Sequence, residues 1–456
     1  MPGHSGRTVR IGSGLGYWGD DTSAPGRQIR DSAIDYLVMD FLAEVTMSIL
    51  QKQKQKDPER GYAGDIIRIL RDALPDAVRR GVKIICNAGG VNPLACARAV
   101  RALTQELGLD DQVKIAAIVG DDLFGRVDEL RGAGVTLENM ETGEPFELVA
   151  DRLVCANAYV GAAPIVEALE QGATIVIGGR LADPSLTLGP LMYEHGWTVQ
   201  QHDHLAAGIV AGHLIECGAH STGGNHQAGW QDVPDMGDIG FPVVEVDGSG
   251  RIVMSKTPGS GGLVSRETVI EQLVYEIGDP KAYLTPDVAV DFTTLTVEDL
   301  GGDHVEVTGA TGRPRPETLK ISAAYRDGFA ANTMYLYSAP HAKQRAEKAK
   351  EILDHRIGRL GLALDEIRSD LIGLGAVHER RTPRIVSDPC EVVLRYAVRS
   401  QSRAAVERAF VEASTVFHGP PGKTNLISGR PRVSEVLSYW PTLVPGKHVE
   451  TKVFMT

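Results

Sequence analysis

Cysteine is scarce and scattered in this chain: Cys86, Cys96, Cys155, Cys217 and Cys390 are odd in number and form no C-x-x-C pair. A disulfide framework or a four-cysteine zinc site is therefore not expected. Most of these thiols should be buried as small hydrophobes, and a reducing, cytoplasmic setting suits them. A surplus of positive charge is also missing, since 47 Lys and Arg stand against 59 Asp and Glu, a net of −12. That balance argues against a general affinity for nucleic acid or an anionic membrane, while leaving room for a local basic pocket. No basic segment followed by an apolar one opens the sequence, and no apolar run reaches the length of about 18 residues that spans a bilayer. Tandem repeats and low-complexity segments are absent too; Gln51–Lys56 (QKQKQK) is short enough to be a solvated helix end.

What is present is an ordinary globular composition, 43% hydrophobic and 23% charged, over 456 residues. That length exceeds one core of usual size and predicts two or three domains. In the first half, short apolar runs alternate with helical stretches. Thr8–Ile11, Asp35–Met39, Val82–Cys86, Lys114–Val119 and Thr174–Ile177 read as strands; Asp40–Leu50, Asp65–Arg80, Pro93–Leu107 and Ala163–Glu170 read as helices. Strands apolar on both sides and separated by helices predict an α/β fold, with a parallel sheet covered by helices on both faces. After about Gly229, glycine and proline become dense and the rhythm breaks. Later, Ala342–Arg359 reads as a helix, Glu391–Val398 as a half-buried strand and Arg403–Thr415 as a further helix. The expected division is a Rossmann-like α/β domain over 1–230, a mixed α/β domain over 231–380 and a smaller α+β C-terminal unit over 381–456.

Glycine loops follow several of the strands. Gly14-Leu-Gly16-Tyr-Trp-Gly19 fits G-x-G-x-x-G in outline, and Asp40 lies about where a ribose-binding acid would stand. Asp20 and Asp21 follow at once, however, and would repel phosphate, while Ala24-Pro25-Gly26 is read as prolonging the loop. An oxidoreductase using NAD(P) or flavin is therefore the alternative and not the leading reading. Asn87-Ala-Gly89-Gly90-Val-Asn92-Pro93 follows a strand at the end where parallel sheets open a ligand crevice. Asn87 can bind a carboxylate or carbonyl oxygen, Gly89 and Gly90 permit close approach, and Asn92 before Pro93 reads as a helix cap. Gly178-Gly179-Arg180-Leu-Ala-Asp183 offers Arg180 as an anion anchor or else as one half of a buried ion pair, with Asp183 either orienting it or starting the next helix with Pro184 at N1.

The stretch from His213 to His226 also holds Glu216, Cys217, His220, Ser221 and Asn225. Their spacing raises the question of a metal, but no established ligand pattern such as H-E-x-x-H is present, so no metal ligand is assigned. Glu216 and His213 are instead the candidates for general acid–base work, with Ser221 and Asn225 lining a polar pocket; one buried hydrogen-bond network is the plain alternative. In Lys256-Thr-Pro-Gly259-Ser260-Gly261-Gly262, the Ser260 and Gly261 amides suggest an anion nest, while the absence of G-x-S-x-G around Ser260 argues against a nucleophile. Gly419-Pro-Pro-Gly422-Lys423-Thr424 looks like a phosphate loop, but Phe417 stands where that loop requires glycine.

In their order and number, the segments Asp35–Leu50, Asn87–Pro93, Ala156–Trp197, Gly212–Asn225, Lys256–Gly262 and Gln272–Asp287 resemble the AtuA (acyclic terpene utilisation) family, from about residue 8 onward. The resemblance implies catabolism of branched or terpenoid carboxylic acids alongside acyl-CoA carboxylases and enoyl-CoA hydratases. Many relatives carry a further C-terminal domain of about a hundred residues, whose counterpart is expected to be absent or a separate small subunit. His220 and His226 stand where the family pattern often has other residues. The expectation is a lyase of the hydratase/dehydratase kind, or a hydrolase, acting on a branched acyl-CoA thioester or a hydroxy acid. A non-catalytic accessory subunit of an acyl-CoA carboxylase pathway is a further alternative. A small-molecule carboxylate or CoA thioester is the expected partner, the cofactor is left open, and a homo-oligomer is expected on general grounds.

Overall fold

The computed structural model describes residues 7–377, 389–412, 416, 425–429 and 431–456. The apolar runs of the first half become β1 (Val9–Leu15), β2 (Tyr36–Met39), β3 (Lys83–Cys86), β4 (Ile115–Val119), β5 (Leu153–Ala158) and β6 (Ile175–Ile177). Later come β7 (Pro242–Val246) and β8 (Ile252–Lys256). Five of them lie side by side in the order β1-β2-β3-β6-β4, each neighbouring pair parallel, with Leu37 opposite Ile84 and Ile85 opposite Val176. The sheet as a whole is mixed and ten-stranded. On one side β7 joins β1 antiparallel and β8 follows, while Lys452–Met455 joins β4 antiparallel at the other edge. β5 lies off this sheet and pairs with the strand that starts at Thr318.

The period-two geometry of a strand explains why these runs are apolar at successive positions. Tyr36 and Val38 fall in one hydrophobic cluster, with Ile165, Leu188 and Leu214; Leu37 and Met39 fall in another, with Leu50, Ile69 and Leu103. The helices supplying those residues are Ala163–Glu170, Ser185–His195 and His202–Glu216 for the first cluster, and Glu44–Lys56, Asp65–Arg80 and Pro93–Glu106 for the second.

Two compact units emerge, one ending at Ala324 and resuming over Tyr439–Thr456, the other Tyr325–Ser438. The change of texture after Gly229 marks no boundary between them, because the antiparallel strands beyond it hydrogen-bond directly onto β1, Val9 opposite Val246. In the second unit, Glu366–Ile372 and Glu391–Ser400 pair antiparallel along their length. The helix Ala342–Gly358 packs Ala346 and Leu353 with Leu394 and Tyr396. The strand Glu391–Ser400 is followed by the helix Arg403–Val411; positions 413–415 of the expected helix lie outside the described residues, as do Phe417 and the Gly419–Thr424 loop.

Three local readings change. β1 runs through Gly12 and Gly14 to Leu15, so the glycine loop begins later than expected. Ala24-Pro25-Gly26 is the first turn of the helix Ala24–Asp31, where proline is tolerated because its missing N–H had no helical partner. The helix Ser185–His195 does start after Asp183-Pro184, but the helix His202–Glu216 carries no polar face to give it away; every residue from Leu205 to Ile215 is buried. Among the described residues no helix is long and apolar enough to cross a membrane. Cys86, Cys96 and Cys155 are buried, Cys217 is partly so and Cys390 is exposed.

Candidate active site

The last turn of the helix His202–Glu216 brings together two residues three positions apart, the spacing that stacks side chains on one helix face. His213 Nδ1 lies 2.8 Å from Glu216 Oε1, and its Nε2 lies 2.8 Å from the Gln272 carbonyl oxygen. A carbonyl only accepts, so Nε2 carries a hydrogen and the neutral ring presents a bare Nδ1 to Glu216. A 2.8 Å contact there requires one proton between the two groups, held either as imidazolium facing carboxylate or as imidazole facing carboxylic acid. Burial pulls His213 down, but the Glu216 charge, their hydrogen bond and the Gln272 carbonyl outweigh it and raise its pKa. Burial raises Glu216 above the usual carboxylate range against the attraction of His213. The second carboxylate oxygen, Oε2, is buried and has no hydrogen-bond partner in the protein.

Both residues line a cavity of about 390 Å³, and so do Arg180 and Asp183. Arg180 follows β6 and the Gly178-Gly179 turn and is only 2% exposed. Its guanidinium binds Asp183 with both forks, at 2.8 and 3.3 Å, and its Cζ lies 4.2 Å from the Tyr159 ring centre. Its Nε is buried without a partner. Burial works against the charge, but Asp183, Tyr159 and Asp40 together hold Arg180 protonated. Asp40, at the end of β2, is raised well above the usual range by burial and by Asp183, with Arg180 and Asn87 opposing. Beneath the turn, Asp121 accepts from the Arg180 backbone N–H and from Asn157, and burial pushes it up to about 6.

The remaining residues singled out from the sequence sit elsewhere. Asn87 is wholly buried and already engaged, its oxygen accepting from the Phe41 N–H and its amide donating to Asp40, so it joins the ends of β2 and β3. Gly89 and Gly90 serve packing. A Cβ on Gly89 would lie 2.5 Å from the Gly178 carbonyl oxygen, and one on Gly90 2.3 Å from Leu50. Gly89→Ala is expected to cost roughly 1–3 kcal/mol by overpacking, read from chemical denaturation; unchanged stability would show that the two strand-end loops can part. Asn92 stands at the helix N-cap position without capping through its side chain, which donates to the Pro58 and Arg60 carbonyls.

Ser221 is buried outside the cavity, Asn225 bonds Gln227, and His226 pairs with Glu271. The anion nest does not form: the amides of Ser260, Gly261 and Gly262 donate to the carbonyls of Thr257, Asp238 and Pro234, and the Ser260 hydroxyl donates to Thr257. At the Gly14–Gly19 segment, the Gly16 amide donates to Asp20 at 2.9 Å, so a carboxylate of the chain takes the place a phosphate would need. Gly16 also packs against the Cys217 backbone, 2.5 Å from where a Cβ would stand. Asp287 is partly buried and holds the Ala162 N–H and the Ser185 hydroxyl. Among the described residues, no group of three metal-ligating side chains converges in a way that could hold an ion.

Other cavity residues lie outside the glycine loops and the His213–His226 stretch: Glu44, Tyr159, Tyr283 and Lys320. Glu44 opens the helix Glu44–Lys56; burial favours its neutral form, but a hydrogen bond to its own N–H and the charges of Arg180 and Lys320 hold it below the usual range. Lys320 places its ammonium 5.5 Å from the Tyr159 ring centre and 5.6 Å from that of Tyr439, a cation held between two aromatic faces. Glu276 lies beyond the helix Arg266–Leu273, on the cavity wall, with a φ of +58°. That left-handed conformation costs a non-glycine residue on the order of 1 kcal/mol and often accompanies a functional constraint.

The model of the acyclic terpene utilisation family protein AtuA matches residues 9–455 and takes in every segment on which the resemblance rests. No curated protein matches the chain.

Proposed function

The chain belongs to the AtuA acyclic terpene utilisation family, and from that premise we propose that it is a catabolic lyase adding or removing water next to a carboxyl or thioester group of a branched acid. The observation that carries this is the His213–Glu216 pair, one proton shared between them and a second carboxylate oxygen left without a protein partner, on the wall of a cavity that also holds Lys320. Such a pair can take a proton from the substrate and return it, the positive charge it gains matching the negative charge left on the substrate. In the dehydrating direction Glu216 Oε2 takes the proton from the carbon beside the carbonyl. The released electron pair forms the double bond to the next carbon, whose C–O bond breaks. The departing hydroxide recovers the proton from Glu216 and leaves as water; hydration is the reverse. His213 stays hydrogen-bonded to Oε1, and Lys320 faces the negative charge that builds on the carbonyl oxygen.

The reading takes the parallel strands β1, β2, β3, β6 and β4 as covered by helices on both faces, which opens the crevice at their carboxyl ends. It takes Arg180 as the fixed charge that keeps Asp40 and Asp183 compatible, and Lys320 as the anchor. A cavity of about 390 Å³ suits the acyl part of a substrate. The test is incubation of the purified chain in ¹⁸O-labelled water with branched 2-enoyl and 3-hydroxyacyl thioesters and the matching free acids. Mass spectrometry should show label entering at least one pair; no exchange across the panel removes the reading.

A further inference from the structure

A second cavity of about 420 Å³ adjoins the first and shares Pro286, Pro316 and Leu319 with it as common wall. Its rim carries two cations from separate segments, Arg315 before the strand that starts at Thr318 and Lys447 in the turn Gly446–His448. A backbone bond from the Gly446 N–H to the Glu317 carbonyl oxygen, at 2.9 Å, fixes those two segments against each other. Among the described residues neither cation has a carboxylate within ion-pair distance; Arg315 only reaches the Pro286 carbonyl oxygen, at 3.5 Å. Of the two acids on the same walls, Asp287 has both oxygens engaged by the Ala162 N–H and the Ser185 hydroxyl, and burial pushes it toward its neutral form against those two bonds and the charge of Arg315. Glu317 is the exposed one. In a chain of net charge −12, two cations with no carboxylate in ion-pair contact, beside a hollow that opens off the reacting chamber, are a place for negative charge.

We infer that this second cavity binds the phosphate-bearing tail of a two-part substrate, a thioester whose acyl end lies against His213 and Glu216. The inference rests on the acid–base reading for which end reacts. A free acid fills only the first chamber and leaves Arg315 and Lys447 without a role, whereas a tail ending in a phosphate fills both and meets two donors there.

The experiment compares 4′-phosphopantetheine with pantetheine, which differ only in the phosphate, by titration calorimetry on the whole chain. The phosphorylated probe should bind about tenfold more tightly. Arg315→Ala combined with Lys447→Ala should erase that preference, and Glu317→Gln should strengthen it. Both cations are exposed, so the double variant is expected to keep the wild-type melting temperature. Equal affinity for the two probes, or a phosphate preference that survives the double variant, overturns the assignment. So does inorganic phosphate competing as well as the probe, which would make the site one for the free ion. Binding is read without turnover, so the result stands apart from whether the chain moves water. If it does, the double variant should raise KM for a phosphopantetheine thioester and leave a short thioester lacking phosphate unchanged.

Discussion

Replacing Glu216 with Gln is expected to lower the rate of water exchange by about 10²- to 10⁴-fold, the usual contribution of a placed acid–base group, with KM changed only a few-fold. The substitution is nearly isosteric, and its hydrogen bonding can be followed atom by atom. His213 Nε2 keeps its bond to the Gln272 carbonyl, so Nδ1 of the neutral ring is an acceptor, and the new amide can donate to it across the same 2.8 Å contact. The fold and the cavity wall are therefore retained while the site loses its only group able to take a proton at Oε2. Two further readouts separate this from a structural effect. By NMR, the imidazole should titrate lower than in the parent chain, because the Glu216 charge and hydrogen bond that raise it are gone while burial still lowers it. Glu216→Ala, by contrast, leaves Nδ1 buried and unpartnered, which costs about 1–3 kcal/mol of stability. Full exchange activity in Glu216→Gln would falsify the assignment, whatever else the variant does.

The strands of the parallel segment were readable because burial on both sides makes a strand apolar at every position, and glycines mark where each run ends. Cys86 and Ile177 are such ends. Of the two loops that follow them, only the one carrying Arg180 reaches the cavity; the other uses Asn87 to hold β2 and β3 together. A sequence shows which donors exist and not which are already spent. The amides of Gly261 and Gly262 are satisfied by Asp238 and Pro234, more than twenty positions back in the chain, and no local pattern foretells that. The helix His202–Glu216 is hidden in the sequence for the opposite reason: buried all round from Leu205 to Ile215, it has no polar face there and hence no period. Without that helix, the spacing of His213 and Glu216 fits one helical turn or a loop equally well. Glu44, Tyr159 and Lys320 come from three distant segments, each an ordinary residue for its local element, and only the folded chain brings them to one wall.

Arg180→Met should be the most destabilising single change in the site, about 3–5 kcal/mol, the cost of removing one member of a buried ion pair. Methionine keeps much of the apolar stem, so the loss measures charge more than volume. Without the guanidinium, Asp183 loses a bidentate partner and Asp40 loses an opposing charge, while the two acids still repel each other. The sign of the pH dependence follows. Asp40 is already raised in the folded chain by burial and by Asp183, and removing Arg180 takes away an influence that lowers it. A carboxyl whose folded pKa lies above its unfolded value, about 3.9 for Asp, binds more protons folded than unfolded over the interval between the two. Stability is then favoured at the acid end and lost as pH rises through that interval. The deficit of Arg180→Met relative to the parent should therefore be smaller near pH 5 than near pH 8, as measured from urea midpoints at both. Adding Asp183→Asn should recover part of the loss at the higher pH, since it removes one of the two charges left uncompensated. A deficit of equal size at both pH values, with no recovery in the double variant, would mean that the packing of Arg180 on Tyr159 holds the turn and that charge balance does not.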